Sequence, residues 1–313
     1  MHVEIRKVGA GRKFYLAHAY RKRGKVVKLR VYLGANLSPD VVVENRRKAE
    51  GRLQHRIDAS VAISDPFETV LSAAELEELK ALEARGEVAI KHLSELDWRN
   101  FTEAFTFDTN AIEGSTILRE EVEDILERGK WPDKPKAEIS ETYGVANAIA
   151  HLRKTREHVS IPLLLELHRI VFLNSKPYAG KFRARGVEVA VADAYGNVIH
   201  RGAPSTQVRK LLRRLVDWYG QNKDGYSPLV LAAIVHNQFE NIHPFQDGNG
   251  RVGRLLLNNI LLKHGLPPLN IELHNRREYY AALQAYERKH DVRPTIELML
   301  KEYRALKKLF GTG

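Results

Sequence analysis

His243, Asp247, Arg251 and Arg254 stand within twelve residues of this 313-residue chain, threaded through glycines at 248, 250 and 253. Each residue type supplies a different part of a phosphoryl-type or nucleotidyl transfer. An imidazole titrates near neutrality and can take a proton from an incoming hydroxyl, which makes His243 the candidate base. A single carboxylate, here Asp247, commonly holds Mg²⁺ when nucleotide phosphates and water complete the octahedron. Gly248 and Gly250 allow backbone N–H groups to converge on an anion, and a helix starting near Gly250 adds its partial positive charge at the same place. Arg251 and Arg254 fall in the first turn of that helix, where cations oppose the macrodipole, so an anionic partner is needed to justify them. Phosphate is the obvious one.

The elements that must position these residues follow from the flanking sequence. Ser227-Pro228 reads as an N-cap followed by proline at the first helical position, opening a helix that runs to about 241. Gly248-x-Gly250-x-x-Gly253 formally matches a dinucleotide fingerprint, but the strand that fingerprint requires is missing. Gly-Lys-Ser/Thr occurs nowhere in the chain, which removes a Walker loop. A helix–loop–helix remains. His236, seven residues before His243, could join it and Asp247 around a transition metal, but two imidazoles and one carboxylate leave that set incomplete.

Apolar residues recur at helical spacing over 97–112, 116–128, 137–157, 161–174, 205–221, 228–241, 250–264, 276–288 and 293–309, which predicts a mainly α-helical body. Residues 186–200 are the exception. There Val187, Val189 and Val191 alternate before Gly196-Asn197, the pattern of an inserted β-hairpin. Segments 2–8, 13–20 and 25–33 predict a small N-terminal antiparallel β-meander with a turn at Arg23-Gly24, and runs over 40–60 and 72–96 predict helices. The expected organisation is a basic meander over 1–35, a helical connector over 36–94 and a catalytic domain over 95–313.

The stretch His243-Pro-Phe-Gln-Asp-Gly-Asn-Gly-Arg-Val-Gly-Arg254 resembles the signature loop of Fic domains at every fixed position. The likeness extends over roughly residues 95–300. Gly180-Lys-Phe-Arg183 with the hairpin after it resembles the family's flap, which would place Val187, Val189 and Val191 as target-positioning residues. Arg277-Glu-Tyr-Tyr-Ala-Ala-Leu283 resembles the family's C-terminal helix. The resemblance implies a protein adenylyltransferase that moves AMP from ATP to a Ser, Thr or Tyr hydroxyl of a target protein, the protein itself being one candidate target. It assigns His243 as base, Asp247 as the Mg²⁺ ligand, Gly248, Asn249 and Gly250 as nucleotide contacts, and Arg251 and Arg254 as ligands of the β- and γ-phosphates. Because Asp247, Gly250, Arg251 and Arg254 are of the AMP-transferring type, the kinase-like branch is disfavoured. Upstream, Thr109-Asn-Ala-Ile-Glu113-Gly114, on a helix expected near 97–114, resembles the family's inhibitory motif. That likeness implies that Glu113 pairs with Arg254 in place of the γ-phosphate, and that removal of AMP from a modified target is a further possible activity.

Charge adds a second theme. Lys and Arg number 50 against 39 Asp and Glu, a net +11, and residues 1–35 hold ten of those bases against one acid. The rest of the chain is therefore close to neutral. Basic strands with Tyr15, Tyr20 and Tyr32 between the charges suit nucleic acid, and a nucleic-acid-associated regulator with a nucleotide-sensing body is the other function class in view. Charges that keep edge strands from aggregating are the simpler explanation. No run approaches the length of a membrane span, and the charged N-terminus lacks the apolar stretch of a signal peptide, so a cytoplasmic protein is expected. The chain has no cysteine, which excludes thiolate metal sites and cysteine nucleophiles.

Overall fold

A computed structural model of the chain describes residues 1–9, 11–22, 25–62, 93–192 and 198–309. The turn expected at Arg23-Gly24, most of the helical run over 72–96 and the hairpin tip at Gly196-Asn197 lie outside them. The chain divides into two compact units, Met1–Ser64 and Asp65–Gly313.

In the first unit β1 (His2–Val8), β2 (Gly11–Lys22) and β3 (Lys25–Ala35) form an antiparallel sheet in that order. Its register places Val3, Leu16 and Val31 side by side on one face. That face needs a cover, since three strands cannot bury their own apolar side. Helix α1 (Pro39–Ala62) supplies it: Ala49 and Leu53 close a core with Phe14, Leu16 and Leu33. The first half of the expected connector thus packs with the meander. On the opposite face Glu4, Tyr15 and Tyr32 share a cross-strand row. Glu4 accepts from Arg6 at 2.9 Å and Arg30 at 2.9 Å, and pairs with Lys28 at 2.7 Å. Three of the ten bases therefore converge on one carboxylate, and the surface left to a polyanion is smaller than the count suggests.

The second unit is helical, as the periodicity predicts. Its elements are α2 (Glu95–Ile112), α3 (Arg119–Arg128), α4 (Lys136–Lys154), α5 (Ile161–Phe172), α6 (Val208–Asn222), α7 (Pro228–Ile242), α8 (Asn249–Lys263), α9 (Arg276–Lys289) and α10 (Arg293–Leu309), with a 3₁₀ turn at Leu273–Asn275. Buried residues run without a break from Leu229 to Glu240 in α7 and from Arg251 to Leu261 in α8, so this pair forms the centre of the unit and the other helices wrap it. Helix α2 starts at a capping box in which Ser94 and Asp97 satisfy each other's backbone N–H groups. No described helix is long and apolar enough to cross a membrane.

The inserted hairpin is shorter than its alternation predicts. Among the described residues, Ala190–Ala192 (β4) pairs with Val198–Arg201 (β5). Val187 sits instead in a turn, its N–H donating to the Ala184 carbonyl and its own carbonyl accepting from Arg183. Glu188 is drawn to Ser205, whose N–H and hydroxyl it accepts. These local bonds replace strand pairing before Val189, whose carbonyl still accepts the Gly202 N–H at 3.1 Å.

Because the two units have separate cores, Leu53→Ala is expected to cost about 2–5 kcal/mol in the first alone. Hydrogen exchange followed by mass spectrometry should show faster exchange over 1–62 with exchange over 228–263 unchanged; acceleration in both would mean that the cores are one cooperative unit.

Candidate active site

Helix α7 ends in a reversal that fixes His243. His243 is its C-cap in the left-handed region, at φ 50° and ψ 63°, and its N–H still donates to the Phe239 carbonyl at 2.9 Å. The ring Nδ1 lies 3.1 Å from the Glu240 carbonyl oxygen. That oxygen can only accept, so Nδ1 carries the proton and Nε2 keeps its lone pair, the tautomer a general base needs. Burial first, and then His200 beside it, pull the His243 pKa down to about 4. The two rings stand 5.7 Å apart.

The loop from 244 to 248 is locked from inside. Asn249 Oδ1 accepts the Phe245 N–H at 2.8 Å and Asn249 Nδ2 donates to the Phe245 carbonyl at 3.0 Å. Phe245 stacks on His168 at 4.0 Å, whose Nδ1 accepts from the Gly180 N–H and whose Nε2 therefore donates to the Asp247 carbonyl. Asn249 thus uses its side chain to close the loop, and what it presents to a ligand is backbone. Gly248 caps α8 at φ 80°, where a side chain would be strained and would collide with the Phe172 ring. The first N–H groups of α8 have no acceptor within the helix.

The titratable residues singled out by spacing find different partners. Asp247 is 42% exposed and pairs with Lys176 at 2.9 Å. Burial raises its pKa, but Lys176, Arg251 and the Gly248 N–H overcome this and hold it below the usual carboxylate value. Among the described residues no group of three His, Asp or Glu can hold a metal ion, so His236 and His243 form no metal site with Asp247. His236 instead bonds the Tyr279 hydroxyl at 3.0 Å. One carboxylate beside a phosphate cradle still fits Mg²⁺ held mainly by nucleotide oxygens. Arg251 is buried, hydrogen-bonded to Glu141 and set over the Phe172 ring at 4.5 Å. Its guanidinium bonds Glu141 of α4 and lies 4.0 Å from Asp247 Oδ1.

Arg254 is at the cavity, at 2% side-chain exposure. Its Nε donates to Thr109 Oγ1 at 2.7 Å, its Nη1 to the Tyr279 hydroxyl at 3.3 Å, and its Nη2 to the Thr109 carbonyl at 3.0 Å and to Glu113 Oε1 at 2.8 Å. Glu113, the C-cap of α2, rests against Gly250, where any Cβ would collide with its carboxylate. One glycine therefore serves two purposes: it opens the anion cradle and it admits Glu113 to it. A cavity of about 480 Å³ lies over this cradle, reached by His243, Asp247, Val189 and Val191 but not by Val187.

Sequence reasoning missed Lys176, Glu141, Tyr279, His200 and Glu240, none of which lies at a diagnostic spacing from the loop. Glu240 faces the cavity, and burial, opposed by Arg254 and aided by Glu113, drives its pKa up to about 8.

Residues 158–261, which include the loop and its flanking helices, match the Fic/DOC family. The chain carries a Fic domain. Protein adenylyltransferase fic-1 of Caenorhabditis briggsae is 35% identical over 213 residues, which are 64% of this chain and 39% of that protein. The chain thus spans well under half the length of that relative. The solved structure of Fic-1 from Caenorhabditis elegans superposes with a TM-score of 0.58 at 26% identity, covering 88% of this chain and 78% of that one. A Fic domain containing signaling protein from Bacteroides thetaiotaomicron shares the fold, with a TM-score of 0.60 at 22% identity over 74% of this chain and 91% of that one.

For His243, the candidate base, the expected outcome is a low titration midpoint. With its pKa near 4, His243 stays neutral throughout the physiological range and loses its lone pair only in strong acid. NMR titration of labelled histidines should find its ring signals constant down to about pH 5.5, whereas a midpoint near the ordinary value of about 6.5 would contradict the buried geometry.

Proposed function

We propose that the chain is a protein adenylyltransferase, transferring AMP from ATP to a hydroxyl of a protein, and that Glu113 restrains it. The name carried by its relatives supports the activity. The observation that carries the restraint is the Glu113 carboxylate lodged on Gly250 and bonded to Arg254.

In this reading the target's hydroxyl gives its proton to His243 Nε2 as its oxygen attacks the α-phosphorus of ATP, and pyrophosphate leaves. Backbone N–H groups at the start of α8 hold the phosphate oxygens, and Arg254 holds the terminal phosphate. Asp247 would hold Mg²⁺, which when bound neutralises phosphate charge; to do so the carboxylate must part from Lys176. The flap residues Val189 and Val191 align an extended target segment beside the cavity by strand addition. Glu113 occupies ground that the γ-phosphate needs, so ATP bound alongside it is held away from in-line geometry. The same carboxylate beside the cavity is suited to hold a water molecule, which would allow removal of AMP as a second activity.

A charge-assisted bond of the Glu113–Arg254 type contributes about 1.5–3 kcal/mol. Glu113→Gly should therefore raise AMP transfer roughly ten- to a hundredfold, and Arg254→Ala should be inactive in either background. His243→Ala should lose transfer and keep ATP affinity, since the phosphate cradle is backbone and arginine. Labelling from radioactive ATP, with nucleotide affinity measured by calorimetry, checks all three; transfer unchanged or reduced in a folded Glu113→Gly variant would leave Glu113 without a regulatory role.

A further inference from the structure

The near neutrality of residues 36–313 conceals a strong asymmetry. Residues 176–223 carry ten bases against three acids, so the remainder of that span is net acidic. Four of the ten lie on α6 as Arg209, Lys210, Arg213 and Arg214. Spacings of one and four residues bring them into one stripe, and all four are exposed. Val208, Leu211, Leu212, Leu215 and Tyr219 form the buried side of the same helix.

Several surface cations elsewhere in this unit close onto nearby carboxylates: Arg128 onto Asp124 at 2.6 Å, Arg169 onto Glu166 at 2.7 Å, and Lys301 onto Glu278 at 2.5 Å. Among the described residues no carboxylate lies within salt-bridge distance of any of the four on α6, although Asp217 stands one turn from Arg213 and Arg214. Like charges at i,i+4 destabilise a helix. The stripe therefore weakens α6 as an isolated element, and an anionic partner would offset that.

Its position says which partner. The segment between β5 and α6 is bonded to the stem of the flap: the Gly186 N–H donates to Ser205 Oγ at 2.9 Å, and Ser205 Oγ donates to Glu188 at 2.9 Å. Arg209 stands over the ring of Phe182, in the same stem, at 5.6 Å. The exposed bases Lys181 and Arg185 extend the stripe into that stem. A cationic track thus leads from α6 to the element whose Val189 and Val191 border the cavity.

We propose that this track docks an acidic segment of the protein substrate, adjacent to the hydroxyl that is modified. The inference rests on the adenylyltransferase reading for the identity of the partner. A helix of this length spans about 22 Å, which an extended peptide covers with roughly seven residues. Exposed pairs are individually weak, so the effect of four lies mainly in steering and is sensitive to salt.

The test measures docking apart from chemistry. Fluorescein-labelled peptides with one central serine and flanks of glutamate, glutamine or lysine are titrated against the full chain carrying His243→Ala. At low salt the glutamate peptide should bind about tenfold more tightly than the glutamine peptide, and high salt should erase most of the difference. The variant R209E/K210E/R213E/R214E should invert the preference towards the lysine peptide, and R209Q/K210Q/R213Q/R214Q should abolish it while retaining the helical circular dichroism of the parent. Equal binding of glutamate and glutamine peptides would overturn the proposal, as would a preference that survives charge removal or a stripe that binds duplex DNA more tightly than the acidic peptide. Separate labelling of the same peptides from ATP by Glu113→Gly protein tests the activity itself: no label with docking intact removes the enzyme reading, and label with no acid preference removes only the docking track.

Discussion

The guanidinium of Arg254 is fully enclosed by protein, and burying a charge is costly unless its donors are satisfied. Here they are met from three directions, by Thr109 and Glu113 of α2 and by Tyr279 of α9, onto a side chain that α8 supplies. Helices α2, α8 and α9 are thereby tied at one point directly beneath the cavity. The partners are not equivalent. Thr109 and Tyr279 are buried, whereas Glu113 is 26% exposed and makes a single bond to the arginine. Of the groups that stabilise this charge, Glu113 is the one nearest solvent.

The surrounding side chains are arranged so that Glu113 can leave without its helix leaving. Asp108, one residue before Thr109, accepts from Asn270 at 2.6 Å and from the Leu273 N–H at 2.9 Å. On the other side Glu138 accepts from Ser115 and from both the N–H and the hydroxyl of Thr116. The backbone is pinned on both sides of residue 113, so the carboxylate can rotate without moving its helix. The same economy of motion holds in the loop, where Asn249 and the His168–Phe245 stack fix the cradle before any ligand arrives.

Charge is deployed differently in the two units. In the first, Glu4 gathers three cations from two strands, so much of an extreme composition is neutralised internally. In the second, near neutrality overall hides an unpaired stripe on α6 next to the flap. Composition alone ranked these regions in the opposite order, because a count of charges carries no information about which carboxylate reaches which base.

The sequence by itself determined the helical periodicity, the helix start at Ser227-Pro228 and the chemistry available in the 243–254 loop, because these depend on contacts within a few residues. The left-handed turn at His243 and the cradle at Gly248 and Gly250 are of that kind, as are the helices of the second unit. Tertiary structure decided which charged residues can act. Arg251 and Arg254 are three residues apart on one helix, yet Glu141, 110 positions away, bonds the first while Glu113, 141 positions away, bonds the second. Lys176 on Asp247, and α1 on the meander, were likewise beyond local reading. Pairings across such separations follow from how helices pack and which carboxylate arrives, and no spacing along the chain encodes them.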